Sequence, residues 1–264
     1  MGKRRNKPAA RAKDKSKVDI LGMRFDPLTM DEALARIDGF VKEGGPHKIF
    51  TPNVALFIWS RSRPYQKRFY DSCDLLPVDG RGLYYASRLL GTPVPEVLSA
   101  VFIFFKILEI APKKGYKLYF LGTKDDILNK AVEEARKKYP GIKIVGARNG
   151  YFDESDEAEI AKDIRASGAD MLFLGMSSPK KEDFVIRNLD STGVSVCLGV
   201  GGSFDVLAGV YHLAPDWVAK AGIEWLYRLI QEPGRMWKRY LTTNTVFGYL
   251  LIKELIKRPF RRVL

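Results

Sequence analysis

The sequence predicts an α/β protein in which a Rossmann-like parallel sheet is followed by a C-terminal helical appendage. Between residues 116 and 198, short apolar runs typical of strands alternate with amphipathic helical patterns. Such alternation is characteristic of a parallel, doubly wound sheet. After Pro215 the pattern becomes helical only. We therefore expect a basic flexible arm at residues 1–17, an α/β domain at 18–214 and a helical, membrane-associating appendage at 215–264.

The first half of the chain predicts a hairpin followed by mixed strands and helices. Residues 18–25 suggest two short strands that turn at Gly22. Thr29, with Glu32 three residues later, is a capping-box signature for a helix to about Val41. We expect further strands at 48–50 and 74–78, and helices at 54–60, 64–71, 81–90 and 97–111. The last helix is strongly apolar, so we expect a core helix, although its face at 101–105 could meet lipid instead.

The second half predicts regular alternation and then two helices. We expect strands at 116–121, 142–146, 169–174 and 193–198, separated by helices at 124–139, 154–167 and 178–189. The appendage predicts helices at about 222–232 and 234–257, because aromatic and apolar residues recur there at helical spacing.

The positive charge is concentrated at the two ends of the chain. The net charge is +13, residues 1–17 hold eight Lys or Arg against one Asp, and residues 228–264 hold nine against two Glu. Positive charge concentrated at the two ends of a chain is suited to binding a membrane surface or a phosphate-bearing substrate. Nucleic-acid binding through the basic ends is the weaker hypothesis, and we expect no nucleic-acid partner.

The cysteines and histidines are too few for a metal or disulfide framework. The chain has two of each, and Cys197 lies in an apolar run typical of a core strand. The N-terminus is charged without an apolar stretch, so it does not predict a signal peptide, and no run is long enough to span a bilayer. We expect a cytoplasmic protein with no bound metal or cofactor.

Asp79 is the candidate catalytic residue. It follows an apolar run and precedes Gly80, which places a carboxylate at the end of a predicted strand. A carboxylate here could act as a general base, or it could merely cap the helix that follows, and the local pattern does not separate the two. The polar residues Thr51 and Asn53 flank a proline after another strand, where they could bind a polyhydroxylated ligand, although the local pattern favours simple turn chemistry.

Three glycine-bearing loops follow other predicted strands and could hold a nucleotide. Their candidate substrate-binding residues are Gly122, Gly175, Lys181, Gly199, Gly201, Gly202 and Asp205. Backbone amides in such loops can approach a phosphate. The spacing of the glycines matches neither the dinucleotide-binding fingerprint nor a Walker loop. Each glycine could simply form the turn that ends its strand.

The C-terminal helices carry arginines interleaved with aromatic residues. Arg235 and Arg239 are four residues apart and share a helix face, and Arg228 lies on the preceding helix. A solvated basic face is the ordinary explanation. The interleaved aromatics favour a pair of helices at a membrane interface, with arginines reaching lipid or substrate phosphates.

These residues, in order along most of the chain, resemble the WecG/TagA/CpsF glycosyltransferases, family 26. The resemblance is carried by Thr51-Pro52-Asn53, 74–82 (DLLPVDGRG), 139–146 (YPGIKIVG), 149–152 (NGYF), 199–205 (GVGGSFD), 207–209 (LAG), 224–229 (EWLYRL), 231–233 (QEP) and Arg239-Tyr240.

The resemblance implies a metal-independent, inverting hexosyltransferase of cell-surface polysaccharide synthesis, peripheral on the inner face of the cytoplasmic membrane. It would move N-acetylmannosamine, N-acetylmannosaminuronate or glucose from a UDP-sugar to a polyprenyl-diphosphate-linked saccharide. Asp79 matches the family's base, Thr51 and Asn53 match its pocket residues, and the 199–205 loop matches its nucleotide-sugar region. The arginines would engage the acceptor diphosphate. The oligomeric state stays open, with a homo-oligomer as one alternative.

The chain departs from the family pattern at two places. Lys181 stands where the family usually has Gln, and Val97 stands where it usually has Arg. Residues 100–102 also replace a Gly-Ser-Asp sequence. These changes bear on donor identity and motivate an alternative hypothesis, a catalytically weakened UDP-sugar-binding or scaffold protein of a polysaccharide assembly.

Overall fold

The computed structural model describes residues 16–215, 217, 218 and 223–261. It confirms the predicted α/β architecture. A small antiparallel hairpin, β1 (Val18–Ile20) and β2 (Met23–Phe25), turns at Leu21 and Gly22, both of which have positive φ. The residues predicted as a basic arm fall mostly at 1–15, which lie outside the described residues. Lys17 donates to the carbonyl of Cys73 and forms an ion pair with Asp26.

The central sheet has five strands, and every pairing in it is parallel. Its strands are β3 (His47–Ile49), β4 (Lys117–Gly122), β5 (Lys143–Arg148), β6 (Met171–Gly175) and β7 (Val196–Gly199). The spatial order is β3-β7-β6-β4-β5. The chain moves from β4 outward to β5 and then returns to β6 on the other side. The order therefore reverses between β4 and β6, and such a switch point is where open α/β sheets bind ligands.

Helices surround the sheet and follow the predicted alternation. Those before the fourth strand are α1 (Met30–Glu43), α2 (Val54–Ser62), α3 (Pro64–Asp71), α4 (Arg81–Leu89) and α5 (Ala100–Lys114). Those after it are α6 (Asp125–Lys138), α7 (Glu157–Ser167), preceded by a 3-10 turn at Glu154–Asp156, α8 (Lys180–Thr192) and the short α9 (Ser203–Leu207). The capping box of Thr29 and Glu32 at the start of α1 is present as predicted.

Side chains of the strands feed two apolar cores, one on each face of the sheet. On β4, Leu118 and Phe120 enter one core while Tyr119 and Leu121 enter the other. Successive residues of a strand point to opposite faces, so a sheet covered on both sides needs apolar residues throughout. Helix α5 is buried through Val101, Ile103 and Phe104, which confirms it as a core helix, whereas Phe102 remains exposed.

The predicted strand at 74–78 is the main correction to the fold. Only Leu75 forms a parallel bridge, to Ile49 of β3. The backbone beyond it bonds elsewhere: the Asp26 N–H donates to the Leu76 carbonyl and the Leu98 N–H donates to the Val78 carbonyl. Pro77 has no N–H to offer a ladder. The segment still runs extended beside β3, so it forms an irregular sixth position at that edge of the sheet.

Two helices end the described chain, α10 (Glu224–Gln231) and α11 (Pro233–Arg261). Helix α11 packs against α2, where the rings of Phe57 and Phe247 meet edge to face with centroids 5.7 Å apart. Trp225 of α10 contacts Tyr240 of α11 in the same manner. Within the described ranges, none of the helices combines the length and the apolar character that crossing a bilayer requires.

Candidate active site

The predicted site residues of the α/β domain lie along the carboxyl edge of the sheet. Thr51 and Asn53 follow β3, the 199–202 loop follows β7, Gly175 ends β6 and Gly122 ends β4. The segment that carries Asp79 runs beside β3. Because parallel strands end at one edge, distant pieces of sequence meet there. The structure therefore brings these loops together as the sequence predicted.

Asp79 is half-buried where its segment turns into helix α4. Gly80 has φ 85, a conformation that glycine adopts without strain, and this lets the chain turn at once into the helix. Gly80 is the N-cap of α4. The Oδ1 atom of Asp79 accepts a hydrogen bond of 2.5 Å from the hydroxyl of Ser99. This bond shows that Asp79 has a partner outside α4, and its role as a base stays a prediction.

Thr51 and Asn53 follow β3, which runs beside the Asp79 segment, but they differ in what their side chains do. Thr51 is buried. Asn53 is the N-cap of α2, and its carbonyl oxygen accepts from the N–H groups of Ala55 and Leu56 at 3.1 and 3.2 Å. The side-chain oxygen of Asn53 therefore has a structural role, which is to cap helix α2. Ligand contact by either residue stays a prediction.

Three of the predicted glycines are required by close packing. A Cβ on Gly122 would lie 2.4 Å from the Gly175 backbone, and one on Gly175 would lie 2.3 Å from the Phe204 ring. A Cβ on Gly199 would lie 2.6 Å from the Phe50 ring. These glycines let the strand ends and their covering aromatic rings approach at the switch point. A role in donor binding remains a prediction for all three.

Gly201 and Gly202 differ from them because a Cβ at either position would meet no close contact: one on Gly202 would lie 3.8 Å from the Asp205 carboxylate. Gly201 has φ 53, and a Cβ there would meet no described atom within 4 Å. Gly202 is the N-cap of α9, and Asp205 lies in the first turn of that helix. Asp205 accepts from the Thr123 hydroxyl at 3.5 Å, which links the loop after β7 to the loop after β4. The loop is held by N–H donation from Val200 and Gly201 to the Leu174 carbonyl.

Lys181 points into the protein rather than into the crevice. Its ammonium donates to the Ser178 hydroxyl at 2.6 Å and lies 3.3 Å from Glu182, which is fully buried. The same Glu182 oxygen accepts from the hydroxyls of Ser178 and Tyr70. Burial, and secondarily the charge of Glu182, raises the pKa of Tyr70. Lys181 therefore has internal partners, and its predicted contact with the donor is untested.

Two clefts open at this edge of the sheet. One, of about 330 Å³, lies near the Asp79 segment, because its wall includes Leu98, whose N–H donates to the Val78 carbonyl. Its walls include Arg81, Tyr84, Glu96, Val97, Phe102 and Glu224. The other, of about 340 Å³, lies at the ends of β4 and β5 and includes Lys124, Asp125, Asn149 and Tyr151. Both volumes fall at the lower end of the range for small-molecule sites.

The arginines of the appendage are described only in part. The side chains of Arg228 and Arg235 lie outside the described residues. Arg239 is half-buried against the Tyr240 ring, and its Nε is buried with no hydrogen-bond partner among the described residues. Glu224, at the start of α10, reaches the cleft beside Asp79, so the appendage contributes to the wall of that cleft.

Sequence reasoning missed two residues that organise the site. Ser99 reads as an ordinary helix cap, so nothing in its local pattern reveals the bond to Asp79. Lys180 donates to the carbonyls of Gly150 and Phe152 and covers the Phe152 ring, which ties the loop after β5 to the start of α8. The nearby family-like sequence at 149–152 was the available signal for that loop.

The fold and the site together define a doubly wound α/β protein with glycine-bearing loops and the half-buried Asp79 at the carboxyl edge of its sheet. A family model described as Glycosyl transferase WecG/TagA/CpsF family matches residues 18–261. The chain belongs to this family, and it is a glycosyltransferase.

Curated relatives agree with that membership. A protein of Bacillus subtilis (strain 168) is 32% identical over 219 residues, which cover 83% of this chain and 84% of the relative. A protein of Staphylococcus aureus (strain MW2) is 29% identical over 251 residues, covering 94% and 96%. Both are named N-acetylglucosaminyldiphosphoundecaprenol N-acetyl-beta-D-mannosaminyltransferase.

Proposed function

We propose that this glycosyltransferase moves N-acetylmannosamine from a UDP-sugar to a polyprenyl-diphosphate-linked N-acetylglucosamine. The names of the relatives from B. subtilis and S. aureus specify that sugar and a diphospholipid acceptor. The observation that carries the proposal for this chain is the placement of Asp79, a half-buried carboxylate at the carboxyl edge of the sheet, close in sequence to Arg81, which lines a cleft of about 330 Å³.

In the proposed reaction, Asp79 acts as general base. It takes the proton of the acceptor hydroxyl while the oxygen attacks the anomeric carbon of the donor. A carbon–oxygen bond to the acceptor forms as the bond from that carbon to the phosphate oxygen breaks, and UDP departs. Direct displacement inverts the anomeric centre, so an α-linked donor gives the β linkage that the relatives' names contain.

The dimensions of the crevice suit an elongated donor. The Asp79 segment, β3, β7 and β6 are consecutive at the edge of the sheet. Neighbouring strands lie about 4.8 Å apart, so the switch point between β6 and β4 is about 17 Å from the Asp79 segment. A nucleotide diphosphate sugar with its nucleotide at the switch point would present its sugar toward Asp79. Backbone amides of the 199–202 loop and basic groups would stabilise the leaving diphosphate, without a required metal.

The sharpest test of this function is UDP release by the purified protein. Each of UDP-N-acetylmannosamine, UDP-N-acetylglucosamine and UDP-glucose is supplied with and without a lipid-diphosphate N-acetylglucosamine acceptor. We expect release only with UDP-N-acetylmannosamine and only with the acceptor present. Release from another donor would correct the sugar. UDP binding without release from any donor would instead favour the scaffold alternative.

We also propose that α10 and α11 lie on the cytoplasmic face of a membrane, where a lipid-linked acceptor would be found. Helix α11 is apolar on two faces. Met236 and Phe247 are buried against the protein, whereas a second stripe is exposed. The exposed large apolar residues of the two helices include Trp225, Leu226, Ile230, Trp237, Leu241, Tyr249, Ile252 and Ile256. An apolar stripe flanked by Lys238, Lys253 and Lys257 fits an anionic lipid surface.

Vesicle sedimentation tests the membrane proposal. The variant Ile252→Glu/Ile256→Glu should lose most of its binding to vesicles that contain anionic phosphatidylglycerol, because it places two charges in the exposed stripe. Ile186→Glu is a matched control, because Ile186 is similarly exposed but lies on α8. Equal sedimentation of all three proteins would contradict this assignment of the surface.

A further inference from the structure

Ser99 stands at a helix start but does not use its side chain to cap the helix. It is the N-cap of α5, with extended φ and ψ of −66° and 143°. Serine is favoured at N-caps because its hydroxyl can accept from the N–H groups of the first turn. Here the side chain makes no such bond. Its hydroxyl instead donates to Oδ1 of Asp79 at 2.5 Å.

The backbone around this pair is fixed from both sides. The Leu98 N–H donates to the Val78 carbonyl at 2.8 Å, which joins the residues immediately before Ser99 and Asp79. Ser99 is only 8% exposed, so water has little access to compete for its hydroxyl. With both backbones held, the hydroxyl–carboxylate bond restrains the rotation of the Asp79 carboxylate.

We propose that Ser99 is a positioning residue that orients the Asp79 carboxylate and favours its charged form. This inference rests on the proposed function, because it assigns Asp79 the role of base. A hydrogen bond to an ionised group is stronger than one between neutral groups, and a donor stabilises the charged form of a carboxylate. Small errors in the placement of a catalytic group reduce the rate steeply.

Steady-state kinetics of three variants test the proposal. Ser99→Ala should lower kcat about 10- to 100-fold, leave KM for the donor within about twofold, and move the acid limb of the kcat profile to higher pH. Ser99→Thr keeps the hydroxyl and should restore most of kcat and the position of the acid limb. Ser60→Ala is the matched control: Ser60 is also buried and donates to a carbonyl, that of Phe57.

A folded Ser99→Ala protein with the kcat and pH profile of the wild type would overturn the proposal. So would a Ser99→Thr protein as slow as Ser99→Ala while its thermal stability is normal.

A second measurement separates failure of this inference from failure of the proposed function. The carboxyl carbon of Asp79 is titrated by NMR in the wild type and in Ser99→Ala. We expect the titration to move to higher pH in the variant. A wild type that turns over no donor contradicts the proposed function. The titration then decides alone: an unchanged midpoint overturns the inference, and a shifted one supports it.

Discussion

The two edges of the sheet hold their carboxylates in different ways. Near the amino end of β4, the half-buried carboxylate of Asp38 accepts hydrogen bonds from Lys42, at 2.5 Å, and from the Tyr116 hydroxyl. It also forms an ion pair with Lys114 at 3.2 Å. Burial acts to raise its pKa, but these three partners outweigh burial and lower it to about 2. At the carboxyl edge, half-buried Asp79 receives the neutral hydroxyl of Ser99 beside an open cleft.

Under the proposed function, this comparison is between a carboxylate that stabilises the fold and one that takes part in the chemistry. A carboxylate surrounded by cations remains charged and is a poor proton acceptor near neutral pH. The Ser99 hydroxyl, by contrast, can orient the Asp79 carboxylate without bringing a positive charge of its own. We therefore expect substitution of Asp38 to affect stability and substitution of Asp79 to affect turnover.

Replacing Asp79, at the carboxyl edge, with asparagine should have the largest effect on turnover. Asp79→Asn keeps the shape of the side chain but removes the base, so kcat should fall about 10²- to 10⁴-fold. Donor binding, followed by calorimetry with UDP, should change little. Asp38→Asn is the control and should retain turnover. Unchanged turnover in Asp79→Asn would remove Asp79 as the base.

A pair of glycine substitutions sharpens the description of the carboxyl edge. Gly175→Ala forces a methyl group to within 2.3 Å of the Phe204 ring, so the free energy of unfolding should fall by about 3 kcal/mol. Gly201→Ala meets no described atom and pays only for its positive φ, about 1 kcal/mol. Chemical denaturation measures both. Equal losses would show that packing at the switch point is not what requires Gly175.

The smallest expected effect is a pH dependence of stability at the amino edge. The folded pKa of Asp38, about 2, lies below its usual value of 3.8, so its pairing stabilises the fold above pH 3.8. That contribution is lost as the pH falls toward 2. Asp38→Asn should therefore cost about 1 kcal/mol at neutral pH and less in acid. Denaturation between pH 7 and 3 tests this, and a constant difference across the range would contradict it.

The sequence predicted most of the fold because its elements are locally encoded. Alternating apolar runs define the parallel strands, and the Thr29 capping box defines the start of α1. The errors arise where distant partners intervene. The chain from 76 to 78 bonds to Asp26 and Leu98, so no continuous strand forms there. Helix α5 begins at Ala100 rather than near 97, because the Leu98 N–H is used by Val78.

The site was predicted at the level of its loops and less well at the level of its side chains. Asp79 and the glycine loops are visible because they follow strands. The inward direction of the Lys181 side chain could not be predicted from local sequence. It depends on the buried Glu182, which also accepts a hydrogen bond from Tyr70, more than 100 residues away. The Ser99–Asp79 bond spans only 20 residues, yet local pattern assigned Ser99 to its own helix.

The uncapped start of α5 has a consequence for how this protein could be improved. Selection for heat resistance alone would favour residues at position 99 that bond to the first turn of the helix, since a good cap contributes about 1 kcal/mol. Such variants would take the hydroxyl from Asp79. We expect directed evolution for thermal stability, without selection for activity, to yield variants at position 99 that are more stable but slower. One side chain would then set a trade-off between stability and turnover.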